Sequence, residues 1–306
     1  MVGLLFPGQG SQFVGMGREL RATWPEARRT FEEADDILGL PLTRICLEGP
    51  ESELTATSVA QPAILTHSIA VFRTVEERLG TVAMAAGHSL GEFTAYVAAG
   101  ALTFEDGLRT VRRRGELMLQ SGLERPGAMA ALLGMDEDGV EQLCLVAAQG
   151  GGVCVPANYN SPGQIVISGD VAAVERAMEL SREAGARKAV RLNVSGAFHS
   201  PLMKSAAAGL TEQLDAAGLA RPRFAVVSNV TAAAVEDVAT ARRLLVQQLT
   251  SPVRWTAVMQ TMLEAGLTSF WEVGPGSVLT ALLRRVERSA LCHALSSPED
   301  LDRVAA

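Results

Sequence analysis

Gly87-His88-Ser89-Leu90-Gly91-Glu92 sets a serine between two glycines, behind an apolar run at residues 81–86 and ahead of a helical pattern that begins near residue 93. A serine hydroxyl becomes a useful nucleophile only when it is lifted into the open and given a base, and a strand, sharp turn and helix of this composition accomplish the first. The glycines are expected to allow the tight turn. Ser89 then stands at a helix N-terminus, where the free N–H of Leu90 and the positive end of the helix dipole suit a developing oxyanion. The base must come from four histidines, His67, His88, His199 and His293. His88 adjoins the serine and is expected to point away from it. His67 falls mid-helix among apolar residues, as a satisfied structural histidine would, and His293 falls beyond the last expected helix. His199 lies in Gly196-Ala197-Phe198-His199-Ser200-Pro201, a loop between a strand end and a proline-started helix, where polar reactive groups are commonly mounted. It is the candidate base. No carboxylate between Ser89 and His199 stands out as a third member. A backbone carbonyl accepting from Nδ1 would fix the same tautomer without burying a charge.

The elements that must hold these residues alternate between helix and strand. A buried strand at residues 2–6 feeds the loop Pro7-Gly8-Gln9-Gly10-Ser11-Gln12, which lacks the lysine of a P-loop and the third glycine of a dinucleotide fingerprint. Helical periodicity follows at 25–38 and 61–79, then the serine turn, then a helix from 104 to about 120 capped by Thr103. From residue 127 the order becomes βαββαβ: strands at 128–133, 153–157, 164–168 and 187–194, helices at 136–148 and 171–184, and a turn at Asn160-Ser161-Pro162-Gly163. The remainder supplies helices at 201–217, 239–248, 253–264 and 278–288 with strands at 225–228 and 269–273. The expected fold is therefore α/β. A hydrolase-like large domain with a mostly parallel sheet (residues 1–125 and 195–306) would carry an inserted ferredoxin-like (βαββαβ) small domain (residues 126–194).

Composition narrows the function classes. The chain has 306 residues, 48% hydrophobic and 20% charged, which is a globular balance with enough material for a large core. A formal net charge of −7 argues against nucleic-acid binding. Cys46, Cys144, Cys154 and Cys292 form no CxxC pair, so neither a zinc site nor a disulfide framework is expected, and no metal is. The first residues lack a basic region ahead of an apolar one, and no apolar run approaches the roughly 20 residues of a membrane span. A cytoplasmic protein without membrane partner is the expectation.

Five motifs in order carry a more specific signal: Phe6-Pro7-Gly8-Gln9-Gly10-Ser11-Gln12, the Ser89 hexapeptide, Asn158-Tyr159-Asn160-Ser161-Pro162-Gly163-Gln164, Phe198-His199-Ser200-Pro201-Leu202-Met203 and Glu272-Val273-Gly274-Pro275-Gly276. Together, across essentially the whole chain, the sequence closely resembles the malonyl-CoA:acyl carrier protein transacylases of fatty acid synthesis and the related acyltransferase domains of polyketide synthases. The resemblance implies that Ser89 is the acylated nucleophile and His199 its general base and acid. It further implies that the backbone carbonyl of Gln248 orients the histidine, and that the N–H groups of Gln9 and Leu90 form the oxyanion hole. The donor would be malonyl-CoA, with no bound cofactor, and the acceptor holo acyl carrier protein.

A malonyl group carries a free carboxylate, which a guanidinium reads with a planar fork. Of Arg112-Arg113-Arg114, helical geometry puts Arg113 opposite the apolar stripe and leaves Arg112 and Arg114 flanking it, without choosing between them. The resemblance assigns the carboxylate to Arg114. It also aligns Phe198 with a position where a bulky ring would crowd an α-methyl branch, favouring malonyl over methylmalonyl. Asn160 and Gln164 are candidates to line the cleft between the domains. Arg182, Arg187, Lys188 and Arg191, or Arg284, Arg285 and Arg288, are candidate contacts for an acidic carrier protein. A monomer is expected. The competing readings are a discrete polyketide acyltransferase or acyl hydrolase using the same serine and histidine, a general esterase, and an inactive scaffold homologue.

Overall fold

The computed structural model describes residues 1–304. Among the described residues, ten strands divide into two sheets: β1 (Val2–Phe6), β2 (Val82–Gly87), β3 (Gly127–Leu133), β4 (Cys154–Ser161), β5 (Gln164–Asp170), β6 (Lys188–Arg191), β7 (Ala225–Val227), β8 (Ala234–Val235), β9 (Ser269–Val273) and β10 (Leu291–Leu295). The larger sheet has the order β10-β9-β1-β2-β7-β8, parallel throughout except for the antiparallel β8 at one edge. Its central strands are apolar on both faces because helices cover both, as parallel sheets require. One apolar cluster gathers Leu4, Phe6 and Ala85, and the opposite one Leu5, Ala86 and Val227.

Register decides what meets at the carboxyl edge of this sheet. Phe6 pairs with Gly87 and Ala86 with Val227, so the chain leaves β1, β2 and β7 side by side. The loops Pro7-Gly8-Gln9, His88-Ser89 and Ser228-Asn229 therefore converge although they are far apart in sequence. Backbone packs on backbone there. A Cβ at Gly8 would lie 2.4 Å from the His88 carbonyl oxygen and one at Gly91 would lie 2.0 Å from that of Phe6.

The smaller sheet, β4-β5-β3-β6, is antiparallel and is built from consecutive βαββαβ elements. Period-2 alternation gives its two faces different work. Ala128, Ala130 and Leu132 pack under the helices Glu137–Ala148 and Val171–Ser181, while Met129 turns to the main core. Along β4, Tyr159 packs among the helices of this sheet, whereas Asn158 and Asn160 line clefts at the serine turn. The Tyr159 N–H donates to the Val253 carbonyl and the Val253 N–H to that of Ala157, fastening β4 to the rest of the chain.

Several expectations shift. Asn160 and Ser161 belong to β4, and only Pro162-Gly163 turn. The strand expected to reach residue 194 stops at Arg191, which leaves Leu192 and Val194 free to line a cavity. The helix expected at 201–217 is a 3-10 turn, Pro201–Met203, followed by a helix over Ala206–Ala216. His293 is in β10, beside Trp271, with a further helix, Pro298–Arg303, after it. His67 is buried as expected but not satisfied: among the described residues neither ring nitrogen has a hydrogen-bond partner.

Candidate active site

Ser89 occupies the turn between β2 and the helix Leu90–Ala98, at φ 51° and ψ −102°. A positive φ is strained for a serine, and such strain persists only where neighbours enforce it. Here Asn229 does so. Its Oδ1 accepts the Ser89 N–H at 2.7 Å and its Nδ2 donates to the Gly87 carbonyl at 2.8 Å, gripping the turn on both sides. The flanking glycines serve a different purpose from the one expected. Neither has a positive φ, and each is glycine because there is no room: a Cβ at Gly87 would fall 1.9 Å from the backbone of Gly91.

His199 also holds a positive φ, 56°, ahead of the turn Pro201–Met203. Its Nε2 is 2.8 Å from Ser89 Oγ, and its Nδ1 is 2.9 Å from the backbone carbonyl oxygen of Gln248. A carbonyl only accepts, so Nδ1 carries the proton and Nε2 is left to accept from the serine hydroxyl. Burial, reinforced by the Arg114 charge, draws the imidazole down to about 3, so it is neutral at pH 7.

Arg114 projects from the helix Phe104–Glu124 and is 1% exposed. One terminal nitrogen donates to Gln61 Oε1 at 2.8 Å. The other donates to Ser89 Oγ at 3.0 Å and to Gln248 Oε1 at 2.8 Å. Its Nε has no partner among the described residues. Desolvation lowers its pKa to about 10, leaving it cationic at neutral pH. Arg113 is exposed and Arg112 pairs with Glu116 and the Ser58 carbonyl, so the structure separates the flanking pair that periodicity left open.

Gln9, Ser89, Leu90, Arg114, Phe198 and His199 line one cavity of about 120 Å³, closed further by Met118, Met129, Leu192 and Val194. Among the described residues, neither the Gln9 nor the Leu90 backbone N–H has a protein acceptor. The Gln9 side chain is held by the Thr57 hydroxyl, which donates to its Oε1 at 2.8 Å. A second pocket of about 220 Å³ shares Gln9 and His88 and continues past Asn160 and Gln164 to Leu279 and Leu282. His88 does turn from the serine, its Nε2 lying 2.8 Å from Asn160 Oδ1. All seven site residues expected from the sequence thus lie together. Among the described residues, no group of three or more histidine, cysteine, aspartate and glutamate side chains could hold a metal, and no helix is long and apolar enough to cross a membrane.

Sequence reasoning missed Asn229 and Glu92. The Glu92 carboxylate is fully buried under the turn, its Oε2 accepting from Gln248 Nε2 at 2.7 Å and from the Asn229 N–H at 3.1 Å. Burial pushes it up to about 7, against the pull of those hydrogen bonds and of Arg114. Its signal was in view, an acid in the first turn of an otherwise apolar helix, but that position is also where any surface helix carries an acid.

An uncharged imidazole poised on a strained serine, two unclaimed N–H groups and a buried guanidinium in one small cavity suit acyl transfer through a serine ester. Comparison with known proteins agrees. The chain is 47% identical to the malonyl CoA-acyl carrier protein transacylase of Bacillus subtilis over 98% of its own length and 95% of that protein's. The crystal structure of the malonyl-CoA:acyl carrier protein transacylase of Xanthomonas oryzae superposes with a TM-score of 0.95 at 44% identity, covering 99% of this chain and 96% of that one. A malonyl-transacylase solved in complex with its type II polyketide acyl carrier protein superposes at 0.96 with 39% identity, covering 99% and 98%. The acyl transferase domain family matches residues 4–299, nearly the full chain, and this protein belongs to it.

Proposed function

We propose that the protein transfers a malonyl group from malonyl-CoA to the phosphopantetheine thiol of holo acyl carrier protein, in fatty acid biosynthesis, through a malonyl-Ser89 ester. The observation that carries this reading is the Arg114 guanidinium 3.0 Å from the same Ser89 Oγ that lies 2.8 Å from His199 Nε2. A cation beside the reacting oxygen selects an acyl donor with an anionic end. The relatives' names point to the same donor and acceptor.

Ser89 Oγ attacks the thioester carbonyl carbon while its proton passes to His199 Nε2. The Gln248 carbonyl, accepting from Nδ1, stabilises the imidazolium that forms. The tetrahedral oxyanion is held by the N–H groups of Gln9 and Leu90. The carbon–sulfur bond then breaks, His199 returns the proton to the departing sulfur, and coenzyme A leaves. In the second half the pantetheine thiol gives its proton to His199, its sulfur attacks the ester, and Ser89 Oγ recovers the proton, so each half is proton-neutral. Arg114 binds the malonyl carboxylate and holds the acyl group across the serine. Phe198 crowds an α-methyl branch.

The donor thioester enters without any further cofactor. The chain divides into a hydrolase-like domain (residues 1–125 and 195–306) and a ferredoxin-like insert (residues 126–194), a reading supported by the β4-β5-β3-β6 order with both helices on one face. It works as a cytoplasmic monomer. Arg285 reaches Gln164 at the rim of the second pocket, which favours Arg284, Arg285 and Arg288 over the insert's basic residues as the carrier contact. The test is transfer of labelled malonyl from malonyl-CoA to holo carrier protein, with acetyl-CoA as competitor. Transfer of malonyl in preference to acetyl is expected, and release of malonate to water without loading the carrier would make the protein a hydrolase instead.

A further inference from the structure

Glu92 and Arg114 are the buried charges of the site, and they are joined through one amide. Arg114 donates to Gln248 Oε1 at 2.8 Å, and Gln248 Nε2 donates to Glu92 Oε2 at 2.7 Å. Both side chains are at most 1% exposed. Glu92 Oε2 accepts a second hydrogen bond from the Asn229 N–H, whereas Oε1 has no partner among the described residues and is the free position for a proton. Of the elements packed on its helix, β1, β2 and β7 carry no titratable side chain. The helix Thr57–Val75 brings His67, kept neutral by burial, and the helix Phe104–Glu124 brings Arg114. Tyr96, one turn on, has a buried unpartnered hydroxyl, and His199 stands across Ser89. Arg114 is therefore the positive charge that, with the hydrogen bonds from Gln248 and Asn229, favours the ionised form of Glu92.

A malonyl carboxylate placed on Arg114 brings a second anion into the same dry space. It claims the guanidinium's charge and repels Glu92, and two carboxylates sharing one site cannot both remain ionised cheaply. We propose that malonylation of Ser89 draws a proton from solvent onto Glu92, so that the guanidinium faces one full carboxylate at a time. This inference rests on the reading that Arg114 binds the malonyl carboxylate. It makes Glu92 a positioning residue whose charge state follows the acyl group. An acetyl group, having no carboxylate, leaves Glu92 as it was. The burial that already lifts Glu92 to about 7 places the change within reach of neutral pH.

The experiment mixes the whole protein with malonyl-CoA at pH 7 in a weakly buffered indicator dye and reads proton uptake against acyl-enzyme counted by intact mass. Ester formation itself exchanges no proton with solvent at this pH, because the serine proton leaves on the thiol. Uptake of about 0.4 proton per malonyl-enzyme is expected for a one-unit rise at a half-protonated group, with none for acetyl-enzyme. Glu92→Gln should take the malonyl adduct without uptake. Malonyl-enzyme forming with no uptake in the wild type, or with equal uptake in Glu92→Gln, overturns the proposal. Should that variant not fold, the malonyl–acetyl difference in the wild type decides alone. If no malonyl adduct forms, the reading of the site fails and this inference with it.

Discussion

At the scale of residues, the site asks one guanidinium and one imidazole to work on the same hydroxyl. Replacing Arg114 by alanine removes the proposed carboxylate reader but not Ser89, His199 or the proposed oxyanion donors, so malonyl transfer should fall by at least about 100-fold while acetyl transfer is retained or gained. Unchanged malonyl preference in competition assays would refute the role. Because burial and Arg114 hold His199 at about 3, the base is neutral across the physiological range. The acid limb of kcat/KM, which reports the free enzyme, should therefore fall well below the ordinary histidine value of about 6.5. A limb at or above that value in a pH–rate profile would contradict the assignment. Ser89 and His199 were legible because their types and spacing recur in motifs, whereas periodicity left Arg114 level with Arg112 and only the resemblance singled it out. Asn229 and Glu92 were not, because a single asparagine after a three-residue strand and a single first-turn acid have many ordinary uses. Only the register of β7 on β2 and the burial of the serine turn reveal what they hold.

At the scale of elements, a parallel sheet converts register into a site. Phe6 opposite Gly87 and Ala86 opposite Val227 deliver three loops to one place, and the glycines there keep the backbones close. Gly91→Ala would drive a methyl group to 2.0 Å from the Phe6 carbonyl oxygen. It should cost about 3 kcal/mol or more in urea unfolding, and a near-wild-type midpoint would show that the turn has slack. Asn229→Ala leaves the Ser89 N–H and the Gly87 carbonyl unpaired under the strained turn. A loss of about 1–3 kcal/mol is expected, with a drop in kcat larger than any change in KM. Strand and helix positions were readable from alternation and from the Thr103 cap, which holds as a hydrogen bond to the Asp106 N–H. The shortest elements were not, since β8 has two residues and the helices Arg18–Thr23 and Glu51–Leu54 are too brief to show a period.

At the scale of the whole molecule, buried uncharged histidines tie stability to pH. His67 is fully enclosed beside Phe31 with its pKa lowered to about 4, below its unfolded value near 6.5. Its contribution to stability is complete above pH 6.5 and is lost as pH falls from there through 4. Wild type should lose on the order of 2 kcal/mol more than His67→Leu between pH 8 and pH 5, and parallel losses in denaturant titrations would refute this. The two-sheet arrangement leaves Ser89 between the carboxyl edge of the parallel sheet and the antiparallel sheet, with Arg285 at the outer rim. Arg285→Glu should raise KM for the carrier protein several-fold without slowing self-malonylation, and an unchanged KM would move the docking face elsewhere. The central claim is that malonyl rests covalently on Ser89 between donor and acceptor. It is tested most directly by intact mass after brief mixing with malonyl-CoA alone, peptide mapping of the adduct, and a chase with holo carrier protein. A malonyl adduct on the Ser89 peptide that disappears onto the carrier is the predicted result. An adduct on another peptide, or a carrier loaded by the Ser89→Ala variant at the wild-type rate, would contradict the account.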